Sequence, residues 1–186
     1  MPHKMDAAYR LAVARRQSVL IETPPSPPVP VFSDVDVDRL RLKGEIRIDP
    51  FLEENLTPNG YDVTVAEVAV PSRDLIVKEG KAVIPPQTRF AVSTREVIEC
   101  GPGVAAELWL RTTWARRGVL ASFGMIDAGF RGTLTLAAFN AADEELALPI
   151  GERFAQVVFV ALTSASEKGY GQRSGHYQDQ RGVRLK

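Results

Sequence analysis

Between Arg111 and Asn140 the chain reads RTTWARRGVLASFGMIDAGFRGTLTLAAFN, and two groups of side chains in it can do chemistry. Arg111, Thr112, Thr113, Arg116 and Arg117 gather guanidinium forks beside hydroxyls, donors whose geometry and charge suit phosphate oxygens. Asp127 is a lone acid in an IDxGxRG turn, where a carboxylate can hold and polarise a water. A phosphate clamp with a positioned water is the minimal equipment for hydrolysing a nucleotide. Each group also has a plain structural role. A turn Asp often bonds its own backbone, and a charged segment after a strand is commonly a solvated face. Gly129, which permits unusual backbone angles, and Phe130, an aromatic at the tip of an apparent hairpin, weigh toward a working site. Trp114 reads as core or interface, not as a platform for a base.

Two further stretches carry polar candidates. In TPNGYDVTV, Asn59-Gly60 is a turn signal, and Asp62 just after it either reaches a metal-bound water or braces the turn. The tail GYGQRSGHYQDQRGVRLK interleaves Tyr170, Arg173, His176, Tyr177 and Gln180 with glycines. Such a segment is either disordered or ordered by an anionic ligand or a neighbour. No GxxxxGK[ST] phosphate loop occurs.

The elements that must position these groups read as mostly β. Ser33 caps a short helix over 34–42, with Gly44 after its end. Short apolar or alternating runs follow: EIRI, YDVTVAEVAV, KAVIP, RFAVSTREVIEC, AELWLRT, GTLTLAAFN, ELALPI and RFAQVVFVAL, punctuated by Gly, Pro and Asp/Asn. That texture predicts a β-sandwich or barrel. The 127–132 turn, between Gly124 and a strand starting near Thr133, reads as a hairpin tip. Ahead of the domain, residues 6–20 have partly helical spacing, and TPPSPPVP at 23–30 reads as an extended linker.

Composition excludes several classes. The 23 basic and 23 acidic residues cancel, so no global field attracts nucleic acid or an anionic membrane. Cys100 is the single cysteine, and His3 and His176 are the histidines, which removes disulfide frameworks and Cys- or His-built metal cages. A reducing, cytoplasmic compartment is expected. No apolar run approaches the roughly 20 residues needed to span a bilayer, and MPHKMDAAYRLAVARRQSVL lacks the apolar core of a secretory signal.

From about Phe32 to Val183 these motifs resemble the dUTPase and dCTP deaminase superfamily of trimeric, mostly β enzymes. RTTWARRG looks like an RSSLARLG phosphate motif, and GMIDAGFRGTLTLAAFN like the dUTPase segment with its IDxGYRG turn. GERFAQVVF resembles GxRIAQLVF, and GHYQDQRG resembles the GKYQxQxG tail of the deaminase branch. The resemblance implies a distorted jelly-roll (β-clip) barrel with a short N-terminal helix and a flexible C-terminal tail. It divides the chain into an arm with a Pro-rich linker (1–31), the β domain (32–168) and a tail closing over an active site (169–186).

The deaminase branch carries a glutamate three residues before the motif-ending Asn, implied to shuttle protons at the cytosine ring. Ala137 stands there, while Glu144 and Glu145 fall beyond Asn140 in an expected loop. The resemblance therefore implies a dUTP diphosphatase with Asp127 as the catalytic acid that activates water. Arg111, Thr112, Thr113 and Arg116 would hold phosphates accompanied by Mg²⁺, and Phe130 would pack under the deoxyribose. Uracil would be read by backbone around Ile126 in a 125–139 hairpin, with Gln156 supporting a phosphate contact. Tyr170, His176, Tyr177 and Gln180 would reach the phosphates from the tail, and dUTP would bind between subunits of a homotrimer. The alternatives are a dCTP deaminase or a non-catalytic nucleotide-binding homologue. Phe130 for tyrosine, His176 for lysine and threonines for serines depart from the pattern.

Overall fold

The computed structural model describes residues 31–185; the helix expected over 6–20 and the linker 23–30 lie outside the described residues. Helix α1 (Asp34–Leu42) begins where Ser33 predicts. The Ser33 hydroxyl accepts from the Asp36 N–H while the Asp36 carboxylate accepts from the Ser33 N–H, a reciprocal capping box. Val37 and Leu40 are the residues it buries.

Fourteen strands follow among the described residues. The first seven are β1 (Ile46–Asp49), β2 (Leu56–Thr57), β3 (Gly60–Val70), β4 (Leu75–Val77), β5 (Lys81–Ile84), β6 (Thr88–Thr94) and β7 (Val97–Cys100). The rest are β8 (Val104–Leu110), β9 (Val119–Ala121), β10 (Met125–Ile126), β11 (Arg131–Gly132), β12 (Thr135–Asn140), β13 (Leu146–Pro149) and β14 (Arg153–Ala161). Two short helices, α2 (Thr112–Ala115) and α3 (Tyr170–Arg173), and two 3-10 turns, Glu53–Asn55 and Pro71–Arg73, complete the set. The run RFAVSTREVIEC, read as one strand, is two. It breaks where the Arg95 N–H bonds the Thr64 carbonyl and the Thr94 hydroxyl bonds the Glu96 carbonyl.

The long sheet has the order β10-β8-β14-β3-β6-β12-β9, with β2 and β4 paired to β3. Its two ends, β9 and β10, are separated by residues 122–124 alone. The sheet is therefore curled until its edges approach, and the seam between them stays open. β3 serves both halves, pairing β14 through Tyr61–Thr64 and β6 beyond Val65, with a register shift at Val65/Glu67 that bends the strand. Two small sheets, β1-β7-β11 and β5-β13, flank it. Phe154 is an aromatic hub of the core, with ring centres of Phe90, Trp114 and Phe123 at 6.1, 6.0 and 6.5 Å. No described helix is long and apolar enough to cross a membrane.

One ionisable group sits deep in this core. Glu96 is fully buried and accepts from the Thr64 N–H (2.9 Å) and hydroxyl (2.8 Å). Burial outweighs these bonds and holds its pKa above the ordinary glutamate value. A raised folded-state pKa favours the protonated form. Its stabilisation is complete below the unfolded pKa and is lost as pH rises through the folded value. Denaturant unfolding of wild type and Glu96→Gln, from about pH 4 to about pH 8, should show wild type losing stability relative to the variant as pH rises. A difference flat with pH would rule out a raised pKa.

Candidate active site

The seam between β8/β10 and β12/β9 opens into a pocket of about 340 Å³. Leu108 of β8, Phe123 of the link between β9 and β10, Met125 of β10, and Leu136 and Ala137 of β12 line its walls. Six expected site residues line it too: Ile126, Asp127, Phe130, Tyr170, Tyr177 and Gln180. The sequence did not single out Leu108 or the SFGM segment, whose only signal was a glycine between two apolar runs. Ala137 is exposed on the pocket wall.

The 127–132 turn is not a hairpin tip. Met125–Ile126 pairs with Glu107 and Ala106 of β8, whereas Arg131–Gly132 pairs with Glu99 and Ile98 of β7. The turn thus crosses between two sheets, and no 125–139 hairpin exists to read a base. Its own geometry is tight. The Phe130 N–H donates to the Asp127 carbonyl (3.1 Å), and Gly129 takes φ 83°. The Asp127 side chain is exposed and has no hydrogen bond or ion pair among the described residues, so the self-bonded turn role is not the one it plays. Cys100 behind the turn is buried, and its thiol pKa is pushed up to about 12 by burial first, then by the charges of Glu99 and Asp127.

The tail forms the pocket's other side through bonds to its own chain. The Tyr170 N–H donates to the Ala128 carbonyl (2.8 Å), Asp179 N–H to Arg131 (2.7 Å) and Thr133 N–H to Gln180 (3.1 Å). Phe130 is buried with its ring edge to face against Tyr170 at 5.5 Å, so an aromatic of the chain itself packs on it. Gln180 Nε2 is spent on the Thr133 carbonyl (2.6 Å), which leaves Oε1 buried without a partner. In this orientation the amide presents an acceptor to the pocket, which pairs with an N–H or O–H and not with a phosphate oxygen. His176 is exposed, stacks edge to face on Tyr177 at 4.5 Å and does not line the pocket.

The arginine–hydroxyl cluster lies elsewhere. Arg111 ends the β8 segment and its side chain pairs with Asp62 at 2.9 Å; Thr112 and Thr113 open α2, exposed, with Arg116 just after it. Trp114 is core: it is 2% exposed and donates from Nε1 to the Arg153 carbonyl (2.8 Å). Gln156 donates to the Thr57 hydroxyl (2.7 Å) and stands opposite Asp62 in the ladder. Asp62, Gln156 and Trp109 share one face of these strands, while Tyr61, Val157 and pocket-lining Leu108 share the other. None of Arg111, Thr112, Thr113, Arg116 and Gln156 lines the pocket of the same protomer. Burial holds the Asp62 pKa above its usual value, against the lowering pull of Arg111 and Arg153.

No cluster of three or more His, Cys, Asp or Glu side chains gathers among the described residues. That donor set does not cage a divalent ion by itself. Mg²⁺ fits only as the companion of substrate phosphates, whose hard oxygens it prefers. Asn140 has a structural task, since its amide bonds the Ile84, Pro85 and Glu144 carbonyls and pins the following loop. Glu144 and Glu145 lie exposed in that loop region and do not line the pocket.

A curled sheet with a pocket of about 340 Å³ at its seam and an arginine–hydroxyl cluster away from that pocket defines the architecture. The chain belongs to the dCTP deaminase-like family, whose model matches residues 31–162, as the motif resemblance implied. It is 41% identical over 140 residues to a protein of Pyrococcus horikoshii named dCTP deaminase, covering 74% of this chain and 88% of that one. It is also 31% identical over 157 residues to a probable deoxyuridine 5'-triphosphate nucleotidohydrolase of Sulfolobus islandicus rod-shaped virus 1, covering 83% and 97%. The 2'-deoxycytidine 5'-triphosphate deaminase of Agrobacterium tumefaciens shares the fold, with a TM-score of 0.62, 15% identity, and coverage of 73% of this chain and 49% of that chain.

The tail's seat depends on Gly129. A Cβ there would lie 2.8 Å from Gly169 Cα and 2.9 Å from Tyr170 N, at a φ that side chains avoid. Gly129→Ala should cost about 1–3 kcal/mol and release the tail. Trypsin cleavage at Lys168 and Arg173 should speed up well before the β domain is cut; equal rates in both proteins would refute the seat.

Proposed function

We propose that this protein hydrolyses dUTP to dUMP and pyrophosphate. The choice rests on the carboxylates of the pocket. Asp127 is the acid among its lining residues, and Ala137 occupies the wall position where the deaminase resemblance expects a glutamate. Attack of water at the α-phosphorus needs a group that orients the water and takes its proton, which a free carboxylate does. The water oxygen bonds phosphorus, the bond to the bridging oxygen breaks, and pyrophosphate leaves. Mg²⁺, held by the substrate phosphates, would offset polyphosphate charge. Gln180 Oε1 would accept from the bound nucleoside, and Phe130 and Tyr170 would supply apolar contact to it.

The clamp and the pocket sit on different faces of one protomer, so a single copy does not complete this site. A neighbouring copy supplying its arginine–hydroxyl cluster would, in keeping with the homotrimer implied by the family resemblance. Trp109, Leu120 and Met125, 58%, 61% and 56% exposed, offer apolar surface for that contact near the seam.

The second reading is dCTP deamination, and the names of the archaeal relatives favour it. Chromatography of dUTP and dCTP reactions with Mg²⁺ separates the two. Release of dUMP and pyrophosphate from dUTP, falling about 10²–10⁴-fold in Asp127→Asn, is the expected result. Conversion of dCTP to dUTP would establish deamination instead. Tight binding of either nucleotide without turnover would make the protein a nucleotide-binding homologue.

A further inference from the structure

Asp62 and Arg153 fall outside the phosphate-like motif, yet the fold brings both to Arg111. The Asp62 carboxylate, its side chain 5% exposed, lies 2.9 Å from Arg111 Nε and 3.6 Å from Arg153 Nη1. The arrangement is built from three directions. Asp62 comes from β3, directly opposite Gln156 of β14. Arg153 starts β14 at the register shift against β3, and its carbonyl receives the Trp114 indole N–H, which ties α2 to it. The Arg111 N–H donates to the Phe154 carbonyl (3.1 Å), which fixes the end of β8 beside the same strand. Both guanidinium groups still reach solvent, with side chains 25% and 41% exposed.

We propose that Asp62, Arg111 and Arg153 form one anion clamp, in which Asp62 positions two guanidinium groups for neighbouring phosphates of a nucleoside polyphosphate. Two forks against one carboxylate leave a net positive charge. Apart from Asp62, Arg111 has no side-chain partner among the described residues, and Arg153 adds only a 3.3 Å bond to the Glu54 carbonyl. Two forks gathered on one carboxylate oxygen can each take one of two adjacent phosphate groups, whereas a lone phosphate fills one fork. Arg153 therefore favours triphosphate over monophosphate, and Asp62 acts through the arginines as a positioning residue. This inference rests on reading the Arg111 cluster as the phosphate site, but not on which reaction follows.

The sign of one substitution separates positioning from bulk charge. By Coulomb's law alone, Asp62→Asn removes a negative charge beside the site and should tighten anion binding. If Asp62 positions the forks, the same change weakens binding. Calorimetric titration of the full chain with inorganic tripolyphosphate reads this directly, with thermal melting recorded in parallel. Asp62→Asn and Arg153→Gln are each expected to weaken tripolyphosphate about tenfold, while orthophosphate binding changes little in Arg153→Gln. Should Arg153→Gln fail to fold, Arg153→Lys retains the charge without the fork and should still weaken tripolyphosphate. Binding as tight as wild type in the Arg153 variants, or tighter in Asp62→Asn, overturns the clamp. No tripolyphosphate binding by wild type would remove the phosphate reading itself.

Discussion

Residues 122–124 tie the two edges of the long sheet together, and most of the candidate site follows from that tether. The chain leaves the sheet along β9 and re-enters its far end along β10. An extended chain covers about 3.5 Å per residue, so Ala121 and Met125 stay within about 14 Å of one another. A sheet held this way cannot lie open; it curls until its edges meet. Phe123 anchors the tether, packing its ring near Phe154 in the core. The ring is partly buried, so its apolar contact offsets part of the cost of ordering the tether. β9 and β10 do not pair with each other, so the edges approach without sealing, and the unsealed gap becomes the pocket.

The same unsealed geometry explains the tail. β11 is only two residues long, and the tail supplies partners for backbone groups at Arg131 within it and Thr133 just after it, through Asp179 and Gln180. Gly182 and Val183 continue across the barrel, where the Val183 N–H donates to the Glu67 carboxylate and Thr135 bonds the Gly182 carbonyl. The expectation of disorder, or of order lent by a ligand or neighbour, came from glycine-rich polar composition. Composition reports the absence of apolar anchors, but it does not report a row of backbone acceptors elsewhere in the chain. One consequence is the buried Gln180 Oε1. Its free lone pairs face the pocket wall, where an N–H or O–H can meet them.

Much of the fold was legible because its signals are local. Ser33 and Gly44 announced the first helix, and the apolar runs of β3, β6 and β14, buried on both faces, and the alternating β12 announced the long strands. β2, β4, β9 and β10 were not legible, since two or three residues are too few for a period. The missing β10 misled the reading of the 127–132 turn. Two strands flanking a Gly-containing turn suggest a hairpin, and only long-range pairing shows that each joins a different sheet. The site was legible in its residue types but not in its partition. Nothing along the chain says that Arg111 and Asp127, sixteen positions apart, face different sides of one protomer. Arg153 lay inside a quoted motif, but its approach to Asp62 depends on strand register, which the sequence does not state.

The two reactions open to this family place their demands at opposite ends of the nucleotide. Deamination adds water at the ring carbon that bears the amino group, moves a proton to the ring nitrogen and expels ammonia. Its proton carrier must therefore stand beside the base. Hydrolysis adds water at phosphorus and needs its carboxylate beside the α-phosphate. The pocket wall that holds Ala137 belongs to β12, and that of Asp127 to the turn crossing toward β7, so each demand falls on a different element. On the proposed reading, losing the first carboxylate while the second stays free would remove the proton carrier of one reaction and leave that of the other. Alanine offers no proton at any pH, whereas the exposed Asp127, unbonded among the described residues, is available to a water. The proposal of hydrolysis, in a family whose relatives carry deaminase names, therefore turns on that single position.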